Sequence, residues 1–233
     1  MIEIIPTNTC PPDFAELSRR SESFAKFSPH VQLDIDDGVF APAISWPYQN
    51  GQWDELEEMA LRSQALPFSE TMKYETHLMV EDPFHLGELL ARMDSMRLLP
   101  HIESFEDEQS AKDAFAAWRA AGAKEIGLAI LIDTPLSALN ALIPLCTVVQ
   151  VMSIAKLGAQ GASFDARATD RIKELHATYP DLMISVDGGV SESNIGDLVR
   201  AGARRFGVGS AISRAAEPAA AYSRLKSTAE NSL

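Results

Sequence analysis

Polar and apolar residues alternate along Gln32-Leu33-Asp34-Ile35-Asp36. In an extended strand this period of two puts Gln32, Asp34 and Asp36 on one face. The run Glu75-Thr76-His77-Leu78-Met79 does the same for Glu75, His77 and Met79, and further on His101 pairs with Glu103 and Gln150 with Met152. Val186-Asp187-Gly188-Gly189 then ends an apolar stretch in an acid followed by two glycines. Acids and two histidines converging on one point suit a divalent metal or a pair of acid/base groups. An inward carboxylate in mid-strand is costly without a partner, so Asp34 and Asp36 read as functional. His77 also reads as functional, set against the alternative of a hydrogen-bonded core histidine. His101 and Glu103 stay open between site and scaffold, and Asp37 beside Gly38 reads as turn chemistry.

A second signal concerns anions. Gly188-Gly189 and Gly207-Val208-Gly209-Ser210 follow the last two apolar runs, where backbone N–H groups can close on a phosphate because glycine permits close approach. The segment Ile154 to Gly161 reads as a loop closing over the ligand. Lys156 within it offers either a charge to the phosphate or an ordinary solvated side chain.

For these residues to meet, the chain must bring several strand ends together. Short β-rich runs at 2–6, 31–36, 72–79, 97–103, 125–132, 147–153, 182–187 and 204–209 alternate with amphipathic stretches. The stretches, at 12–26, 52–65, 83–92, 107–121, 135–142, 165–178, 191–201 and 214–226, carry helical spacing. Repeated βα units imply a parallel sheet, and eight of each is the number that closes a (β/α)8 TIM barrel, whose active site sits at the carboxyl ends of its strands. Ser191 followed by Asn194 reads as a helix N-cap, Pro83 and Pro135 as first-turn residues, and Gly122 and Gly202 as helix stops. No linker-like or low-complexity tract interrupts the pattern, so one domain over 1–233 is expected, ending in a frayed tail from Ser227.

Composition narrows the function further. Lys and Arg number 20 against 33 Asp and Glu, a net charge of −13, which argues against a nucleic-acid partner. No apolar run approaches membrane-spanning length, the amino terminus lacks the features of a secretory signal, and the only cysteines are Cys10 and Cys146. A cytoplasmic protein acting on a small molecule, with no membrane partner and no disulfide framework, is expected. Trp46, Tyr48 and Trp53 offer either a contact between subunits of a homo-oligomer or packing of a long loop over the barrel rim.

At its most specific stretches the sequence resembles the ribulose-phosphate 3-epimerase family. Asp34-Ile35-Asp36-Asp37-Gly38-Val39-Phe40-Ala41-Pro42, His77-Leu78-Met79-Val80 with Pro83, Met152-Ser153, Val186-Asp187-Gly188-Gly189-Val190 and Gly209-Ser210-Ala211-Ile212 carry the likeness, in order and over nearly the whole chain. The resemblance implies an enzyme, an isomerase that interconverts ribulose 5-phosphate and xylulose 5-phosphate. It implies Asp34 and Asp187 as the acid/base pair, and a divalent cation (Zn, Mn, Mg or Fe) held by Asp34, His77 and Asp187. A sugar phosphate would be bound by Thr7, Met79, Met152, Gly188, Gly189, Gly209 and Ser210. Gln32 stands where the family has a metal-binding histidine, and Asp36 where it has a methionine. Either Asp36 or Gln32 joins the cation, or the metal is lost and the pocket does something else. Three crowded carboxylates would repel one another, so a cation is expected. The alternatives are an epimerase or isomerase of another ketose phosphate, such as a hexulose 6-phosphate, and a sugar-phosphate-binding homologue without turnover.

Overall fold

The strands form where sequence alternation predicts them, and a computed structural model describes residues 1–155, 157, 161 and 163–233. They are β1 Glu3–Asn8, β2 His30–Asp36, β3 Lys73–Met79, β4 Ser95–Pro100, β5 Glu125–Ile130, β6 Val148–Met152, β7 Met183–Asp187 and β8 Arg205–Val208. All pair in parallel with their sequence neighbours, and β8 returns to β1 to close the barrel. The expected (β/α)8 TIM barrel is the fold. Among the described residues no helix is long and apolar enough to cross a membrane.

The helices are α1 Phe14–Ala25, α2 Trp53–Leu61, α3 Phe84–Arg92, α4 Glu108–Ala121, α5 Arg167–Thr178, α6 Ile195–Ala201, α7 Ser210–Ser213 and α8 Pro218–Glu230. Local chemistry fixes their ends. The Asp13 carboxylate accepts the Glu16 N–H at the start of α1, and Asp107 and Ser110 form a capping box on α4. Gly122 and Gly202 stop α4 and α6 at φ 130° and 123°, backbone that a side chain would strain. The apolar stripes of the helices bury Leu17 and Phe24 of α1 and Phe115 and Trp118 of α4 against the outer face of the sheet. Each such side chain contributes about 1.5–3 kcal/mol.

Four expectations about the scaffold need correction. The helix expected at 135–142 is a pair of 3₁₀ turns, Leu136–Leu139 and Ile143–Leu145. Pro135 and Pro144 bracket the segment and interrupt the α-helical hydrogen-bond ladder, although Leu139, Leu142 and Ile143 still reach the core. The last helix is two: α7, then α8 opened by Pro218. Residues from Ser227 do not fray, because α8 runs to Glu230 and buries Ala229. Ser191 does not cap α6, whose N-cap position is Asn194; the Ser191 hydroxyl pairs with that of Ser193 instead. Trp46 is fully buried and packs the rim, while Tyr48 and Trp53 pack against the core and against each other and stay partly exposed.

Inside the barrel, strand parity sorts side chains into layers. At the amino-terminal end Glu3, Glu75, Glu125, Arg97 and Arg205 form one ion-pair network. Arg205 donates to Glu3 (2.9 Å), Glu75 (3.0 Å) and Glu125 (3.0 Å), and Arg97 to Glu3 (2.9 Å) and Glu125 (3.0 Å). Glu75 is wholly buried, and burial raises its pKa against the pull of Arg205 and Arg97. The opposite end holds the candidate site.

Candidate active site at the barrel mouth

Pairing in register sets Asp34 of β2 beside His77 of β3, and Asp187 of β7 beside Gly207 of β8. All three polar side chains point into the barrel. His77 Nδ1 lies 3.4 Å from Asp34 Oδ1 and 3.5 Å from Asp187 Oδ2, ion-pair separations at which it has no hydrogen-bond partner. Gln32 closes the group: its Nε2 donates to Asp34 Oδ1 at 2.9 Å and to Asp187 Oδ2 at 2.6 Å, while its Oε1 is buried and unpaired. Gly207 makes room for this arrangement, since a Cβ there would meet Gln32 Oε1 at 2.9 Å and Asp187 Cγ at 3.1 Å.

Burial shapes the charges. It raises the pKa of Asp34, with the neighbouring Asp187 adding to the effect against His77. It disfavours a charged His77, but the Asp187 and Asp34 carboxylates outweigh it and hold that ring up at about 10. Two carboxylates and a cationic ring therefore share one buried space, and a divalent cation can replace the ring proton.

Asp36 shares the parity of Asp34 but turns elsewhere. Its Oδ2 accepts the thiol of Cys10 at 2.8 Å, and burial, with Asp34 adding, pushes its carboxyl up to about 7. The group whose ligand atoms lie within 4.8 Å of one another is Asp34, His77 and Asp187. Asp37 performs the expected turn chemistry, accepting from the N–H groups of Val39, Phe40 and Glu81. Cys10 went unnoticed in the sequence as a site residue. It sits in the left-handed region at φ 43° in the loop after β1, where no periodicity announces it.

Above the acids lies a pocket lined by Thr7, Thr9, Cys10, Met79, Met152, Gly188, Gly189, Gly207, Gly209 and Ser210. Every residue expected to bind substrate is in that lining. Thr7 Oγ1 is buried with no partner. The Ser153 hydroxyl donates to the carbonyls of Asp187 and Gly188, and the Asn194 amide to that of Gly189, so the two-glycine turn is pinned from below. Leu157 and Gly161 also reach the pocket; Lys156 lies outside the described residues.

The remaining pair, His101 and Glu103, is also drawn in. β4 ends at Pro100, short of the expected 103; His101 continues it only as an isolated bridge to Ala129, and Ile102–Ser104 is a 3₁₀ turn. His101 Nε2 reaches His77 Nε2 at 2.9 Å, and its Nδ1 lies 3.1 Å from Glu103 Oε2. Burial lowers the His101 pKa to about 4, against Glu103.

A closed parallel barrel with paired acids and a histidine at its carboxyl mouth, beside a two-glycine turn, places the chain among TIM-barrel proteins with their candidate site at the strand ends. Residues 5–213 match the ribulose-phosphate 3-epimerase family, and the chain belongs to it, a family of isomerases acting on carbohydrates. It is 27% identical to the cytoplasmic isoform of ribulose-phosphate 3-epimerase from Oryza sativa subsp. japonica over 94% of this chain and 91% of that protein. To the ribulose-phosphate 3-epimerase of Treponema pallidum it is 30% identical, over 78% of each chain. The fold is shared with 3-hexulose-6-phosphate synthase from Salmonella typhimurium, at a TM-score of 0.71 and 14% identity over the whole of both chains.

Proposed function

We propose that the protein is a ribulose-phosphate 3-epimerase, interconverting ribulose 5-phosphate and xylulose 5-phosphate by proton transfer at C3. The observation that carries this reading is the placement of Asp34 and Asp187 on strands β2 and β7, joined through Gln32 and His77 beneath a pocket with a pinned glycine turn. One carboxylate takes the C3 proton and the other returns a proton to the opposite face, so each alternates between acid and base. The raised pKa of Asp34 suits a group that must hold a proton for part of the cycle. Gly188, Gly189, Gly209 and Ser210 receive the phosphate on backbone N–H groups, with Thr7, Met79 and Met152 around the sugar. Uncharged donors of this kind let an acidic protein hold an anion.

The donor set fits a divalent cation: two carboxylates and an unpaired buried imidazole nitrogen converge, and Asp34, His77 and Asp187 would hold it. Once bound, such an ion polarises the substrate carbonyl and offsets negative charge developing beside it. Gln32 offers a further oxygen donor through its unpaired Oε1, whereas Asp36 is engaged by Cys10.

Incubation with ribulose 5-phosphate in deuterated water tests the reading. Deuterium should enter C3 together with inversion; phosphate-ester binding with neither exchange nor turnover would leave only a sugar-phosphate-binding protein, and a preference for a hexulose 6-phosphate would reassign the substrate. Dialysis against a chelator should abolish turnover and added Mn²⁺ or Zn²⁺ should restore it, whereas full activity without metal would remove the cation. Gly207→Ala should lower kcat by up to about 100-fold through displacement of the Asp187 carboxylate, with no loss of folded protein by circular dichroism. Wild-type kcat in that variant would show that Asp187 tolerates the added methyl.

A further inference from the structure

Behind the three candidate ligands lies a fixed chain of hydrogen bonds. Glu103 Oε1 accepts the Leu131 N–H at 2.9 Å, which anchors the carboxylate and leaves Oε2 facing His101 Nδ1 at 3.1 Å. An ionised carboxylate only accepts, so the hydrogen belongs to His101 Nδ1. In a neutral His101 the lone pair then sits on Nε2, which lies 2.9 Å from His77 Nε2. Two lone pairs cannot share that contact, so His77 Nε2 donates into it. The free lone pair of a neutral His77 is thereby placed on Nδ1, the atom that points between Asp34 and Asp187. Both rings are wholly buried, and His101 is flanked by Phe40 and His77 with ring centroids 4.7 and 5.0 Å away, so no solvent contact supplies another arrangement. A doubly protonated His101 would put a second cation, buried, next to the metal position, which like-charge repulsion opposes.

We infer that Glu103, acting through His101, is a positioning residue that sets the tautomer of His77 so that Nδ1 presents its lone pair to a divalent cation. The inference rests on the metal reading above. Metal-bound histidines generally donate their second N–H to a carboxylate or carbonyl; here a second imidazole is interposed, and the carboxylate stands one residue further out.

Glu103→Gln tests it with little change of shape. The Leu131 N–H retains the amide oxygen, which turns the NH₂ group toward His101 Nδ1 and moves that ring's hydrogen to Nε2. Two N–H groups then face each other across the His77 contact whenever His77 Nδ1 is used as a ligand. Calorimetric titration of the purified metal-free full chain with Mn²⁺ should show affinity about 10–100-fold weaker than wild type. Nitrogen-15 shifts of labelled histidines should show the His101 hydrogen moved from Nδ1 to Nε2, and circular dichroism should show the metal-free variant folded like the wild type. Asp34→Asn, measured alongside, should weaken Mn²⁺ binding further than Glu103→Gln does. If the wild type binds Mn²⁺ and Glu103→Gln binds it equally well, or if His101 carries its hydrogen on Nε2 in the wild type, the relay is overturned and the metal site survives. If the wild type takes up no Mn²⁺, the metal reading fails and the relay with it.

Discussion

Asp34→Asn and Asp187→Asn should each lower turnover of ribulose 5-phosphate by about 10²–10⁴-fold, the range that a positioned acid/base group contributes. The amide keeps the size of the carboxylate and can neither take nor release a proton. The two variants should also differ from a general loss of activity in one respect. With one base intact, a variant can still exchange the C3 proton of one epimer with solvent, so deuterium should wash slowly into that substrate without inversion. Each variant should show exchange into a different epimer. Each variant should still fold in the metal-free form, because an amide of the same size fills the space of the carboxylate. A coupled assay, proton NMR in deuterated water and a thermal melt check the three parts. Turnover within a few-fold of wild type in either variant would remove that residue from the reaction.

Arg205→Met should cost about 3–5 kcal/mol of folding stability, the usual result of stripping one partner from a buried ion pair. Arg205 is the hydrogen-bond donor to Glu75, whereas Arg97 approaches that carboxylate only to 3.9 Å. Glu75 would be left as a charge that solvent cannot reach. The loss should shrink as the pH falls, because a carboxyl whose folded pKa is raised penalises the fold only when it is ionised. Replacing both partners, Arg205→Met with Glu75→Leu, should recover most of the loss, since apolar residues of similar size can stand in for a buried pair. Urea denaturation of the two single variants and the double closes the cycle. A loss below about 1 kcal/mol for Arg205→Met would place the network with weak surface pairs.

The barrel was legible because its two periods are unlike: strands alternate every second residue and helices return every third or fourth. Asp34, His77 and Asp187 were legible for the same reason, since parity plus a position at a strand's carboxyl end leaves few other places for them. Parity names a face and not a target, however. Asp36 has the right face, yet at the last residue of β2 it meets Cys10, delivered by a loop whose left-handed backbone has no sequence signature. Gln32 reads as a lost histidine in sequence, while its bond to Asp187 spans 155 residues and exists only once the barrel closes. The helix expected at 135–142 failed because two prolines override an apolar spacing that the 3₁₀ turns satisfy equally well.

The polar layer at the barrel's amino-terminal end also bears on the order in which the protein assembles. Arg205 meets partners that lie 80, 130 and 202 positions away in the chain, so its bonds wait until both ends of the polypeptide have arrived. Contacts made that late are absent from the folding transition state and act on the reverse reaction. Loss of Arg205 should therefore accelerate unfolding while the folding rate stays close to that of the wild type, which the two limbs of a urea chevron would read as a latch on an already closed ring.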